Sequence, residues 1–169
     1  MKSAHRQAAR AKRHLVTTYG LLDTLFARPD VPMPEDRRRH QLTRMYGGLH
    51  AIETAPAPTP DDWRVVSDAV NLMETLVLDM RICEDASGLL PDAVAALALA
   101  GARHLETGAA IRLNAQDIHI VRAVLADYSA MLETLSERTM TECHRRTERR
   151  VAEIHAGKSR PHDVQVVAV

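Results

Sequence analysis

The chain has 169 residues, 46% of them hydrophobic but only 3% aromatic, and its 22 basic and 22 acidic side chains leave no net charge. That length suits one domain and excludes two ordinary ones. An apolar complement of mostly Ala, Leu, Val and Met fits close-packed helices, and the alternating β-branched and aromatic runs of a sheet are missing.

Neutrality conceals an uneven distribution. Residues 1–52 carry ten cations and four anions, residues 53–137 five and fourteen, and residues 138–169 seven and four. Basic ends around an acidic middle point to an anionic partner, or to self-association of ends with middles.

Residues 1–14 hold five Lys or Arg and no acid, which reads as a flexible basic arm. They lack the apolar run of a secretory signal. No stretch approaches the ~18 apolar residues of a membrane span, so a cytoplasmic protein with no membrane partner is expected. From Leu15 to Ala27 the residues Leu15, Tyr19, Leu22, Leu25 and Phe26 follow helical spacing, and Arg28-Pro29 stops that helix. A second helix begins near Glu35 with Leu42, Met45, Tyr46, Leu49 and Ile52 as its stripe. Gly47 and Gly48 inside it favour a close helix crossing over a break.

The clearest start signal follows the Ala55–Pro60 linker: Thr59 as N-cap, Pro60 in the first helical position, Asp61 and Asp62 in the first turn. Trp63, Val66, Val70, Met73, Val77 and Met80 carry this helix for about 25 residues, towards Gly88. Pro91 opens a helix apolar nearly all round, expected to be the buried centre of a bundle and to end near Gly108. Asn114, with Asp117 three residues on, caps the last one. No breaker follows until Gly157, and a helix of about 42 residues would span roughly 63 Å. It must break, protrude or pair. Its first half (Ile118, Val121, Leu125, Tyr128, Leu132, Leu135) has heptad-like spacing, while beyond Arg138 the apolar phase shifts. Residues 158–169 end in Val-Gln-Val-Val-Ala-Val, an apolar tail.

The nine histidines include no pair three or four apart, so no single helix offers a two-His metal site. Asp36/His40, His50/Glu53 and His144/Glu148 share helix faces but lie in charged stretches, where solvated surface is expected. Cys83 and Cys143 read as reduced packing residues. Cys143 and His144, adjacent in sequence, point about 100° apart on a helix and do not make a thiolate–imidazole nucleophile. No nucleophile elbow, phosphate loop, dinucleotide fingerprint, zincin or calcium-loop pattern occurs. No cofactor, metal ligand or catalytic residue is assigned, and a non-enzymatic role is expected.

The basic clusters are the alternative. Lys2, Arg6, Arg10 and Arg13 would line one stripe of a helical arm. Arg37 and Arg38 open the second helix, and Arg145, Arg146, Arg149 and Arg150 lie along the last. Phosphate neutralisation needs such clusters, but no aromatics interleave them for base stacking.

The segment PDDWRVVSDAVNLMETL (Pro60 to Leu76), with the later helix ending YSAMLETL, resembles small uncharacterised all-helical proteins of proteobacterial phages and mobile elements. The resemblance covers residues 60–135 and rests on Trp63, Asn71 and apolar spacing. It implies a bacterial accessory role and brings no catalytic residue.

The expected fold is therefore all-α: an antiparallel helical bundle of about five helices over residues 15–157, with a long, partly protruding C-terminal helix. The expected function is a protein–protein interaction module, such as an inhibitor of a host system. Ile118 to Leu135 are the candidate homodimer seam. The alternative is a nucleic-acid-binding accessory protein.

Overall fold

The computed structural model describes Leu15, Tyr19 and residues 21–158. Among these residues six α-helices follow one another: α1 (Leu21–Phe26), α2 (Glu35–Thr54), α3 (Pro60–Glu74), α4 (Leu90–Thr107), α5 (Ala115–Thr134) and α6 (Glu137–His155). The five long ones form an all-helical bundle. No strand forms among the described residues, and backbone pairing outside the helices is an isolated bridge between Pro32 and Ser136. None of the described helices is long and apolar enough to cross a membrane.

α3 is the hub. Its start is fixed as the sequence dictates: the Thr59 hydroxyl accepts from the Asp62 N–H at 3.2 Å, and the Thr59 N–H donates to the Asp62 carboxylate at 2.8 Å. This reciprocal cap satisfies two N-terminal donors that the helix cannot. α3 packs against α2, α4, α5 and α6. Its Trp63 is buried, and the indole N–H donates to the Leu97 carbonyl of α4 at 3.0 Å. α4 is therefore not the buried centre expected of it. It packs on α3 and α5 and leaves Leu99 and Leu105 exposed. Of its six alanines Ala93, Ala96 and Ala100 are buried while Ala95 is exposed, so its nearly continuous apolar run does not bring burial all round.

The crossing of α2 over α3 uses one of the two adjacent glycines. A Cβ on Gly48 would lie 2.5 Å from a Val65 methyl and 2.6 Å from the Asp62 carbonyl oxygen, whereas one on Gly47 would meet nothing within 4 Å. Gly48 lets the helices approach; Gly47 faces open space.

α3 also ends earlier than its apolar spacing predicts. The Thr75 hydroxyl donates back to the Asn71 carbonyl at 3.0 Å, and hydrogen bonding then widens into a π turn over Thr75–Asp79. The Met80 N–H reaches Thr75 at 2.9 Å and the Ile82 N–H reaches Leu76 at 3.0 Å. Arg81, at φ 52°, takes the left-handed conformation that closes such an end. Residues 80–89 then run to α4 without helix.

The long C-terminal stretch breaks. Leu135 is extended, Ser136 caps α6 by accepting from the Thr139 N–H, and the two helices have 20 and 19 residues. Each is about 30 Å long, which fits a domain of this size. The segment before α2 holds the break: Met33 N–H donates to the Leu135 carbonyl at 3.2 Å and Glu137 N–H to the Val31 carbonyl at 3.0 Å. The phase shift in the sequence beyond Arg138 is this corner, so no single protruding helix exists.

The expected helix over Leu15–Ala27 is much shorter. α1 has six residues and packs on α6. Leu15 is buried, its N–H donating to the Glu148 carboxylate at 2.7 Å, but Leu22, Leu25 and Phe26 point to solvent.

Candidate functional site

Two features stand out from the packed helices: a buried polar seam between α3 and α6, and an exposed apolar ridge on α1.

The seam begins with sequence spacing. Ser67, Asn71 and Glu74 recur along α3 at helical intervals, Thr75 follows at the start of the π turn, and all four are buried. Across from them α6 presents Cys143, His144 and Thr147, also buried, and Arg150. The Thr75 and Thr147 hydroxyls are 2.6 Å apart, and the Arg150 guanidinium donates to the Thr75 hydroxyl at 3.1 Å. Its second terminal nitrogen lies 3.8 Å from the Glu74 carboxylate, a charge contact rather than a hydrogen bond. Burial pushes the Glu74 pKa up to about 7, against the smaller opposing pull of Arg150. Arg146 continues the seam into solvent, pairing with Asp79 at 3.2 Å and with Glu142 at 2.8 Å.

Cys143 donates its thiol to the Leu72 carbonyl at 3.4 Å, and burial pushes its pKa up to about 12. A thiol so held is a packing group, not a nucleophile. Cys83 is half-buried and also shifted upward, chiefly by burial and then by Asp127 and Asp85. His144 is buried, not on solvated surface as its charged neighbours suggested, and the Tyr19 ring meets it edge-on at 4.9 Å. His40 and His50 are exposed, and the expected partner of His50, Glu53, pairs instead with Arg122 at 2.7 Å. No cluster of three His, Cys, Asp or Glu fit to hold a metal occurs among the described residues.

His40, Gln41, Arg44, Asp68 and His144 line a cleft of about 40 Å³ between α2 and α3. That is room for a few waters, well below the ~300 Å³ at which small-molecule sites begin.

The predicted site residues separate cleanly. Val121, Leu125, Tyr128, Leu132 and Leu135 are buried in the chain's own core, and Ile118 packs against it. They cannot be the dimer seam proposed for them, because α5 spends its heptad-like face on α2, α3 and α4. Of the basic residues, Lys2, Arg6, Arg10 and Arg13 lie outside the described residues. Arg37 pairs with Glu137 at 2.8 Å, Arg145 approaches Glu142 at 3.6 Å, and Arg146 and Arg150 belong to the seam. Arg38 is half-buried and Arg149 exposed. The α6 arginines therefore do not form one face open to phosphate.

What sequence spacing misassigned is α1. Leu22, Leu25 and Phe26, at positions i, i+3 and i+4, are 66%, 65% and 79% exposed. Phe26 is the chain's only phenylalanine. Such spacing is that of anchor residues on a helix that docks into a groove. The helix has six residues and ends ahead of Pro29, and it packs on α6 with these three side chains left in solvent, which periodicity alone does not signal.

No protein-family model matches the chain, and neither a curated protein nor a solved structure is significantly similar to it.

Proposed function

We propose that the chain is a non-enzymatic protein-binding module, and that α1 is the element it presents. The observation that carries this reading is the exposed Leu22–Leu25–Phe26 ridge. A large aromatic and two leucines held in solvent on one helix face are the composition of a binding hot spot, where aromatic side chains dominate. Scattered single apolar residues on a surface need no explanation; three on consecutive helical anchor positions do. The bundle beneath supplies a rigid platform, because its core is continuous from Met33 to Cys143. An accessory role in a phage or mobile element, such as inhibition of a host system, is the biological setting this reading suggests.

The alternative of nucleic-acid binding is weakened by the seam. Arg146 and Arg150, two of its four α6 contacts, are committed to carboxylates of the same chain. The test is a pull-down from cell lysate with and without nuclease, using the full chain, Phe26→Glu, and a version lacking residues 1–14. A defined protein that survives nuclease and is lost with Phe26→Glu is the expected result. Recovery of nucleic acid alone, lost with residues 1–14, would overturn the reading in favour of the alternative.

A further inference from the structure

The contacts of α6 fix where the α1 ridge lies along it. The Leu15 N–H meets the Glu148 carboxylate at 2.7 Å, the Tyr19 ring meets that of His144 at 4.9 Å, and the Arg138 guanidinium donates to the Ala27 carbonyl at 3.1 Å. The chain from Leu15 to Ala27 therefore runs antiparallel to α6. Leu22 and Phe26 fall roughly level with residues 142 and 139, about 24–29 Å along the helix axis from Lys158. At its far end α6 stops in a Schellman turn. Gly157 is left-handed at φ 66°, its N–H donates to the Ile154 carbonyl at 2.9 Å, and the Lys158 N–H donates to the Glu153 carbonyl at 2.9 Å. Such an end turns the chain off the helix axis. The residues beyond it, 159–169, lie outside the described residues. Their sequence is a polar spacer, Ser-Arg-Pro-His-Asp, followed by Val-Gln-Val-Val-Ala-Val.

We propose that residues 164–169 lie across Leu22, Leu25 and Phe26 of their own chain, as a strap that a protein partner must displace. The proposal rests on the protein-binding reading of α1 and names its regulation. Two observations select the occupant. The first is reach. At about 3.3 Å per extended residue, Val164 comes to roughly 20 Å from Lys158 and Val169 to roughly 36 Å. The spacer therefore ends short of the ridge, and the apolar hexapeptide spans its level. The second is chemistry and spacing. Val164, Val166 and Ala168 share one face of an extended segment, about 6.6 Å apart in steps of two, and Leu22 and Phe26 are about 6 Å apart along their helix. Apolar teeth of one element thus meet apolar anchors of the other in step. The link also favours the chain's own tail over a foreign one, because a short tether holds its end at an effective concentration of about millimolar.

A nitroxide on Val167→Cys, in the full chain carrying Cys83→Ser, tests it through paramagnetic broadening of backbone amide signals. Cys143 is buried with its pKa pushed up to about 12, so it takes no label. The amides of Leu22 to Phe26 should broaden more than those around Leu78 and Ile82 or Leu99 and Leu105, the exposed apolar side chains of other elements. Phe26→Glu, a change at an exposed side chain, should remove that difference. Broadening that is even throughout, or strongest on the other elements, would overturn the proposal. So would broadening of α1 in an isotope-labelled chain without nitroxide mixed with the nitroxide-bearing one, since it would give the ridge to a second copy. Removal of residues 164–169 should then strengthen binding of the protein captured from lysate about tenfold, as expected for a strap closed nine-tenths of the time. Equal binding with and without these residues would overturn the strap as a regulator. Selective broadening of α1 with no protein captured by either form would leave the docked tail standing and overturn the protein-binding reading.

Discussion

Glu74 makes stability depend on pH in a direction opposite to that of most carboxylates. The residue is 3% exposed, and its pKa is raised from 4.5 to about 7 because burial outweighs the attraction of Arg150. Between those values the folded chain holds a proton that the unfolded chain has released. Stability from this group is therefore fully present below about 4.5 and is lost as pH rises through about 7. The loss is about 1.4 kcal/mol per pH unit, or roughly 3 kcal/mol in all. Against a typical total of 5–15 kcal/mol that is a large share. Glu74→Gln keeps the size of the protonated side chain and removes the titration, while Arg150 retains its hydrogen bond to Thr75. The variant should match the wild type near pH 4.5 and exceed it by about 3 kcal/mol at pH 8, a melting shift of roughly 6–12 °C. Denaturant midpoints at pH 5, 6, 7 and 8 measure it, and the difference between the two proteins cancels the titration of the histidines. Parallel profiles, or a variant less stable than wild type at pH 8, would refute the reasoning.

Three further outcomes follow from the same geometry. Gly48→Ala should destabilise by about 1–3 kcal/mol, since the Asp62 carbonyl it strikes is backbone and cannot swing away, whereas Gly47→Ala should stabilise by about 0.5–1 kcal/mol; equilibrium unfolding separates the neighbours by sign. Thr59→Ala and Ser136→Ala should each cost about 1 kcal/mol of cap energy and add in the double variant, because the two caps share no partner. A thiol reagent at pH 8 should titrate one cysteine per native chain, Cys83, and two in denaturant, since Cys143 is fully buried with its pKa at about 12.

Those caps are also where the sequence was most legible. Thr59-Pro60-Asp61-Asp62 and Asn114 announce helix starts through side-chain chemistry acting within three residues, and Gly108, at φ 69°, announces an end. Local rules suffice for local features. The π turn at Thr75 and the corner at Ser136 were not legible, because each depends on a distant segment. Thr75 is held by Thr147 and Arg150 of α6, and Ser136 by the bridge to residues 31–33. The seam had a signal that apolar counting passes over: Ser67, Asn71 and Glu74 place a polar stripe down a helix otherwise committed to the core. The heptad-like face of α5 was correctly seen as apolar and wrongly given to a second chain, since periodicity marks burial without naming what buries it.

The corner and the seam together account for the placement of α1. An unbroken C-terminal helix would carry its second half away from the bundle. The break at Ser136 turns α6 back so that Thr147 and Arg150 meet Thr75 and Glu74. α1 packs on α6, and its stripe faces water. A wholly apolar α3–α6 contact would hold α6 more tightly at neutral pH. The polar one makes docking of α6, and of the α1 ridge it supports, the part of the fold most sensitive to the charge on Glu74. Hydrogen exchange at pH 6 and pH 8 should therefore show the larger loss of protection in α6 at the higher pH, with the core amides of α2 and α5 losing only what the global destabilisation takes. Uniform change across the helices would mean that Glu74 acts on the whole bundle and not on the platform of α1.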